Sequence, residues 1–425
     1  MRTAAIVVAA AVALGIGVVV VDAVRAETCA DVFGSADTSL APAQDRLATR
    51  DLAPTDEGGV GELRWVLSTI GADTRSAVVD VGRWTAYLDR DEISRIDDDG
   101  SVRWTRAVPR SRWVHLDDTH LGLLAFVDGT FRLALVDGQG ALVRCDELFE
   151  INANVSADGS GGYLTAGSVS EERDSAGLVR RLEGDGTERW RAELSEPTGD
   201  TIAEVFVGSG VAVVGQTDDR LDTVITVLDD ATGEVRWELP RTDDVGRVRS
   251  ILGVADDLLY AVVNDGLGEN TRLLTLDVAT GATRWEVGTA ASPLRDGRLR
   301  SDGDLLVIEA PTLARAIDPD TGEIVWTTST GALTLGGSDA GRPISVDDLL
   351  VAVGRDGLLV DLRDGTSAQL FETSQFVSVD SVAVSDGLLL TDVAIFVDDG
   401  DDVITFVAAW DFEPDDAMLT DPEDT

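Results

Sequence analysis

One short phrase recurs along the chain and constrains its fold more than any other feature. Its fullest copies are LDDATGEVRW (228–237), LDVATGATRW (276–285) and IDPDTGEIVW (317–326), with shorter copies IDDDGSVRW (96–104) and LEGDGTERW (182–190). Each reads as a strand ending on an acidic residue, a tight turn closed by Gly, and a second strand carrying Trp four residues later. A unit of this size cannot bury its apolar face alone, so repetition implies stacking of equivalent units.

The turn glycines are Gly61, Gly100, Gly140, Gly186, Gly233, Gly281, Gly322 and Gly365, spaced by 39 to 48 residues. That interval suits four short antiparallel strands per unit. Between the turns the sequence is rich in Val, Leu and Ile, as in LGLLAFVDGTFRLALVD (121–137) and SDGLLLTDVAIFVDD (385–399). Asp-Gly between apolar runs is a hairpin signal, because Gly tolerates the positive φ of such turns. No stretch after residue 30 shows helical periodicity. The fold class expected is therefore all-β, an eight-bladed β-propeller of four-stranded antiparallel blades. Residues 61–68 read as an outer strand without a blade, and residues 378–411 as three strands without a fourth. Joining them closes the ring and removes exposed sheet edges.

Trp65, Trp104, Trp190, Trp237, Trp285 and Trp326 each follow a turn Gly by four residues; Arg144 and Gln369 take that place in the other two units. A ring at a fixed repeat position packs against the neighbouring blade, burying on the order of 150–250 Å². The Arg144 and Gln369 junctions are expected to be weaker. The phrase [LI]-D-x-x-T-G-x-x-x-W resembles the tryptophan-docking motif of the PQQ-like (pyrroloquinoline-quinone-type) β-propeller superfamily, over about four fifths of the chain. The resemblance implies one of two roles. Quinoprotein dehydrogenases oxidise alcohols or sugars with PQQ and calcium. Non-catalytic members, among them the outer-membrane protein assembly lipoprotein, act as protein-interaction scaffolds. Many of the dehydrogenases carry an adjacent-cysteine disulfide, whereas the two cysteines here, Cys29 and Cys145, are far apart. The expectation is the non-catalytic branch, with no catalytic, cofactor-binding or metal-ligating residues and no cofactor.

An uncharged apolar run from Ala4 to Val21 follows Arg2. Residues 1–26 read as an N-terminal membrane anchor or a signal peptide, with a small-residue cleavage site at Ala26. Either reading places the propeller outside the cytoplasm, tethered or secreted. In an oxidising compartment Cys29 and Cys145 are candidates for a disulfide. Residues 27–60 read as a linker, 61–411 as the propeller and 412–425 as an acidic, disordered tail.

Formal net charge is −44, from 34 basic side chains, all Arg, and 78 acidic ones. So negative a surface repels phosphate backbones, which excludes nucleic acid as a partner. It also repels anionic headgroups, so membrane contact is expected only through the N-terminal segment. It favours encounter with basic partners. Asp97, Asp98 and Asp99, and Asp398, Asp399, Asp401 and Asp402, supply oxygen ligands of the type calcium takes. They lack the full calcium-loop spacing and read as turn residues. His115 and His120, with Asp117 and Asp118 between, read as an edge hairpin. The function expected is a protein-interaction scaffold at the cell envelope, binding an envelope or secreted protein. Two alternatives are a PQQ- and calcium-dependent dehydrogenase, and a sensor for a cation or small ligand in the central channel.

Overall fold

The computed structural model describes residues 33–37, 52–54, 59–69, 77–89, 92–108, 111–127, 130–148, 151–168, 176–197, 201–217, 223–239, 247–264, 271–289, 298–302, 305–310, 313–329, 344–346, 349–352, 357–373, 377–385, 387–397 and 402–412. These residues build eight antiparallel sheets around one axis, an eight-bladed β-propeller. Blade 1 consists of Ala77–Asp80, Thr85–Asp89, Glu92–Ile96 and Val102–Ala107. Blades 2 to 7 span residues 111–148, 151–197, 201–239, 247–289, 298–329 and 344–369. Blade 8 takes three strands from residues 377–412 and its outer strand, Val60–Thr69, from the other end of the chain. The first strands of most neighbouring blades touch one another, which places them around the axis.

Closure follows the sequence expectation: Val60–Thr69 pairs antiparallel with Asp402–Phe412, in a register that sets Trp65 opposite Ala409 and Thr69 opposite Thr405. This explains one correction. Gly61 lies inside that outer strand and is not a turn glycine. The third and fourth strands of blade 8 come from opposite ends of the chain, so no turn joins them. The other seven glycines occupy turns with φ between +71° and +82°.

Both faces of every blade are covered, so strands such as Val211–Thr217 and Leu258–Asn264 are buried almost throughout and do not alternate. A sheet packed on both sides selects continuous apolar runs over the one-sided pattern. The core is accordingly divided into layers. Among the described residues there are eight apolar clusters, one in each gap between neighbouring blades.

Part of the expected linker is built into the fold. Ala36–Asp37 adds a fifth strand to blade 1, with Ala36 opposite Arg106. Leu52–Pro54 pairs with Phe371–Thr373, just after blade 7. Phe33 is fully buried in the layer between blades 1 and 2. Among the described residues no helix is long and apolar enough to cross a membrane. The anchor or signal segment (1–26), Cys29, residues 398–401 and the tail beyond Phe412 lie outside the described residues.

Candidate functional site

In an antiparallel four-stranded blade the first and third connections lie at one end, so the recurring turns collect on one face of the propeller. Each residue of the repeated phrase has a job there. In blade 4 the Asp229 carbonyl accepts the Gly233 N–H at 2.8 Å, and its Oδ1 accepts the N–H groups of Ala231 and Thr232 at 3.0 Å. Arg236, just before the Trp, donates to Asp229 Oδ2 at 2.7 Å. Asp277 repeats the arrangement in blade 5 with Thr280, Gly281 and Arg284. Short side-chain-to-backbone bonds of this kind are what make Asp a turn residue.

The indoles dock across the blade gaps. Trp190 lies on Gly233 of the next blade and donates from Nε1 to the Asp230 carbonyl at 2.7 Å. Trp237, Trp285 and Trp326 do the same to Val278, Pro319 and Leu362, each three residues before the turn Gly. Trp65 and Trp104 meet shorter turns and reach the carbonyls of Asp98 and Gly138, two residues before Gly100 and Gly140. All six therefore serve in packing.

At the Arg144 junction a polar set of contacts takes the place of the indole. Arg144 donates from Nη1 to the Gly184 carbonyl at 2.5 Å, the position an indole N–H reaches on the shorter turns. Its Nε donates to Asp146 Oδ2 at 2.7 Å, and its guanidinium lies 5.1 Å from the centroid of the Tyr163 ring. The Tyr163 hydroxyl also donates to Asp146. Burial, with Asp146 adding to it, raises the Tyr163 pKa well above its ordinary value and keeps the hydroxyl a donor. Gln369 differs: it donates to the Phe371 carbonyl of its own segment at 2.7 Å.

Among the described residues, clefts open on the turn face at two places. One, of about 410 Å³ beside blade 1, is lined by Arg83, Arg95, Arg103, Asp97, Asp98 and Asp99. Asp97 pairs with both Arg95 and Arg103, and Asp99 caps the Ser101 N–H, so these carboxylates do turn work. The other, of about 340 Å³ between blades 2 and 3, is lined among others by Asp117, His120, Arg144, Asp146, Ser160 and Asp185. His120 opens the second strand of blade 2 and lies 3.0 Å from Asp117, in the hairpin that this strand forms with Ser111–Asp117, the inner edge strand of the blade. Among the described residues no group of three His, Cys, Asp or Glu side chains converges as a metal site. Exposed carboxylates ring the face: Asp98, Asp118, Asp185, Asp257, Asp320 and Asp364 come from six different blades. The polar cluster beside the second cleft, Arg144 and Asp146 with Tyr163 behind them, is not legible in the sequence, since the repeat signals Trp and is silent about its replacement.

Two stability predictions arise from this face. Burial alone raises the Asp117 carboxyl, but hydrogen bonds from Thr119 and His120 outweigh it and bring it down to about 2. The Arg236 hydrogen bond holds Asp229 below the usual range, Thr280 and Arg284 do so for Asp277, and Arg363 for Asp361. With folded values below unfolded ones, this stabilisation is complete above the ordinary carboxylate range near about pH 4 and disappears as pH falls through the folded values. Thermal melts should therefore fall steeply between about pH 4 and pH 2. At neutral pH the net charge of −44 repels itself. Added salt screens that repulsion, so the melting temperature should rise from low salt to about 0.5 M; a salt-independent value would contradict it.

Comparison with known proteins agrees with this geometry. No curated protein matches the chain in sequence. Among solved structures, the quinohemoprotein alcohol dehydrogenase ADHIIG from Pseudomonas putida HK5 is 12% identical with a TM-score of 0.52, over 84% of this chain and 77% of that one. Sqt1 from Saccharomyces cerevisiae is 11% identical with a TM-score of 0.52, over 82% of this chain and 98% of that one. At such identities the likeness is one of fold. The family described as outer membrane protein assembly factor BamB matches residues 175–392, just over half of the chain, and this PQQ-like propeller belongs to that family.

Proposed function

We propose that the protein is a non-catalytic propeller that binds a protein partner at the cell envelope through its acidic turn face. The observation that carries this reading is the ring of exposed carboxylates from six blades, interrupted by two clefts on the same face. The partner surface it fits is basic, because complementary charge speeds encounter and orients the partner. The family description, an assembly factor of the outer membrane, is in keeping with a scaffold. Crosslinking of the tagged full-length protein in its native membrane, with mass spectrometry of the products, tests the reading. One partner joined to turn-face residues, and lost when Asp118, Asp185 and Asp257 are replaced by Asn, is the expected result. Turnover of an alcohol in a dye-linked assay with PQQ and calcium would replace it with a dehydrogenase.

The envelope setting carries a further expectation. Cys145 is buried in the layer between blades 1 and 2 together with Phe33, and no cysteine among the described residues is free. Pairing of Cys145 with Cys29 would staple the leader to the ring, contributing about 4–5 kcal/mol at most for a loop near 100 residues. Denatured, unreduced protein should show no titratable thiol; two thiols would reject the pairing.

A further inference from the structure

We infer that the gap between blades 5 and 6 binds a chloride-sized monovalent anion, held by the Arg315 guanidinium with the Thr275 hydroxyl as a second donor. Arg315 lies in the third strand of blade 6, Leu313–Ile317, opposite Ile308 on one side and Thr327 on the other. Residues directly opposite in a sheet share a face. Ile308 packs with Leu252, Tyr260 and Leu273 of blade 5, so Arg315 enters the gap between these two blades. Thr275 stands opposite Tyr260 and enters the same gap from the blade 5 side.

The repeat shows what sets this position apart. The matching residue, opposite the one that follows the docking Trp, is Leu274 in blade 5 and Arg180 in blade 3. Arg180 donates to Glu188 at 2.8 Å. Arg315 is 8% exposed and donates from Nε to Thr327 Oγ1 at 3.1 Å, while its buried Nη1 has no partner among the described residues. Nearby carboxylates face elsewhere: Glu309 stands opposite Ala314 on the blade 7 face, and Glu286 opposite Leu274 on the blade 4 face. Burial lowers the Arg315 pKa, with no neighbouring charge opposing it. A guanidinium stays protonated even so, and a buried charge without a counter-ion is costly. The Thr275 hydroxyl, 0% exposed, also has no partner among the described residues. Tyr260, Val262, Leu306 and Ile308 make the surroundings apolar. One cation and one hydroxyl there suit a small ion of single charge; sulfate would bring a second charge that nothing balances. Thr327, beside Arg315, is exposed and gives a route in from the rim.

Melting of the full chain in sodium chloride and in sodium gluconate, at one ionic strength, tests the site. Screening is then equal in the two salts, and gluconate is too bulky for the gap. Arg315→Leu, which puts here the residue that blade 5 carries, is the reference. Chloride should raise the melting temperature over gluconate by about 2 °C or more beyond the difference that Arg315→Leu shows. Thr275→Val should reduce that shift. In crystals grown with sodium bromide, anomalous scattering should place an ion beside Arg315, between blades 5 and 6. An equal chloride effect in the natural protein and Arg315→Leu would overturn the site, and so would bromide found only elsewhere on the molecule. An unchanged shift in Thr275→Val would overturn the part given to Thr275. Where Arg315→Leu does not accumulate as folded protein, Thr275→Val and the bromide crystals decide.

Discussion

Gly233→Val should cost about 4–7 kcal/mol of stability, among the largest effects of any single substitution in this chain. Two terms combine. Gly233 has φ +74°, which costs a β-branched residue about 1–2 kcal/mol. A Cβ there would also sit 2.6 Å from Cε3 of Trp190, so the indole must leave its slot and lose its bond to the Asp230 carbonyl. Displacing a buried Trp costs about 3–5 kcal/mol by analogy with truncating it. Gly387→Ala separates the terms. Gly387 has φ +77° and nothing within 4 Å of the place an alanine methyl would take, so only the backbone cost of about 1–2 kcal/mol applies. Denaturant unfolding of both variants measures the difference. Equal losses would show that indole docking adds nothing beyond backbone conformation. Combining Gly233→Val with Trp190→Ala should cost little more than Gly233→Val alone, because both empty the same slot, and should exceed Trp190→Ala alone only by the backbone cost of about 1–2 kcal/mol.

Arg144→Ala should be nearly as damaging, at about 3–5 kcal/mol, because it strands a buried carboxylate. The Asp146 side chain is 9% exposed and its cation is Arg144. Loss of the guanidinium also leaves the Gly184 carbonyl without that donor and the Tyr163 ring without its cation. The counterpart substitution restores the repeat. Arg144→Trp with Asp146→Ala and Tyr163→Phe gives this junction the Trp-x-Ala pattern of Trp190 and Ala192 and removes the polar groups that would lose partners. Replacing a buried ionic network by packed apolar groups is commonly neutral or stabilising, so this triple variant should fall within about 1 kcal/mol of the natural protein or exceed it. Arg144→Trp alone should lie between the two. A triple variant as unstable as Arg144→Ala would show that the ionic cluster supports the junction in a way an indole cannot.

Blade number and closure were legible because their signals are local or periodic. Gly100 and Trp104, or Gly281 and Trp285, sit four residues apart in one hairpin, and each copy repeats the same turn chemistry. The unmatched strands at residues 61–68 and 378–411 announced the shared blade by what each lacked. Gly61 departs from the turn pattern for the same reason: periodicity marks a position in the repeat and does not tell a turn from a seam. The ring of exposed carboxylates is legible in part. Asp at the turns is plain in the sequence, but its collection on one face follows from the direction of the strands.

The repeating unit is written into the chain residue by residue: the Asp that caps, the Gly that accepts φ near +75° and the indole that fills the next gap. These depend on contacts within a unit and on one interface copied around the ring. Where the repeat is broken and mended is settled only by the folded ring. Arg144 finds Asp146 in its own strand but Tyr163 and the Gly184 carbonyl in the next blade. Phe33 and Arg106 meet across some 73 residues of chain. Leu52–Pro54 finds Phe371–Thr373 from the far end of the ring. Such pairings leave no periodic trace, because each is made once, between segments that only the closed ring brings together.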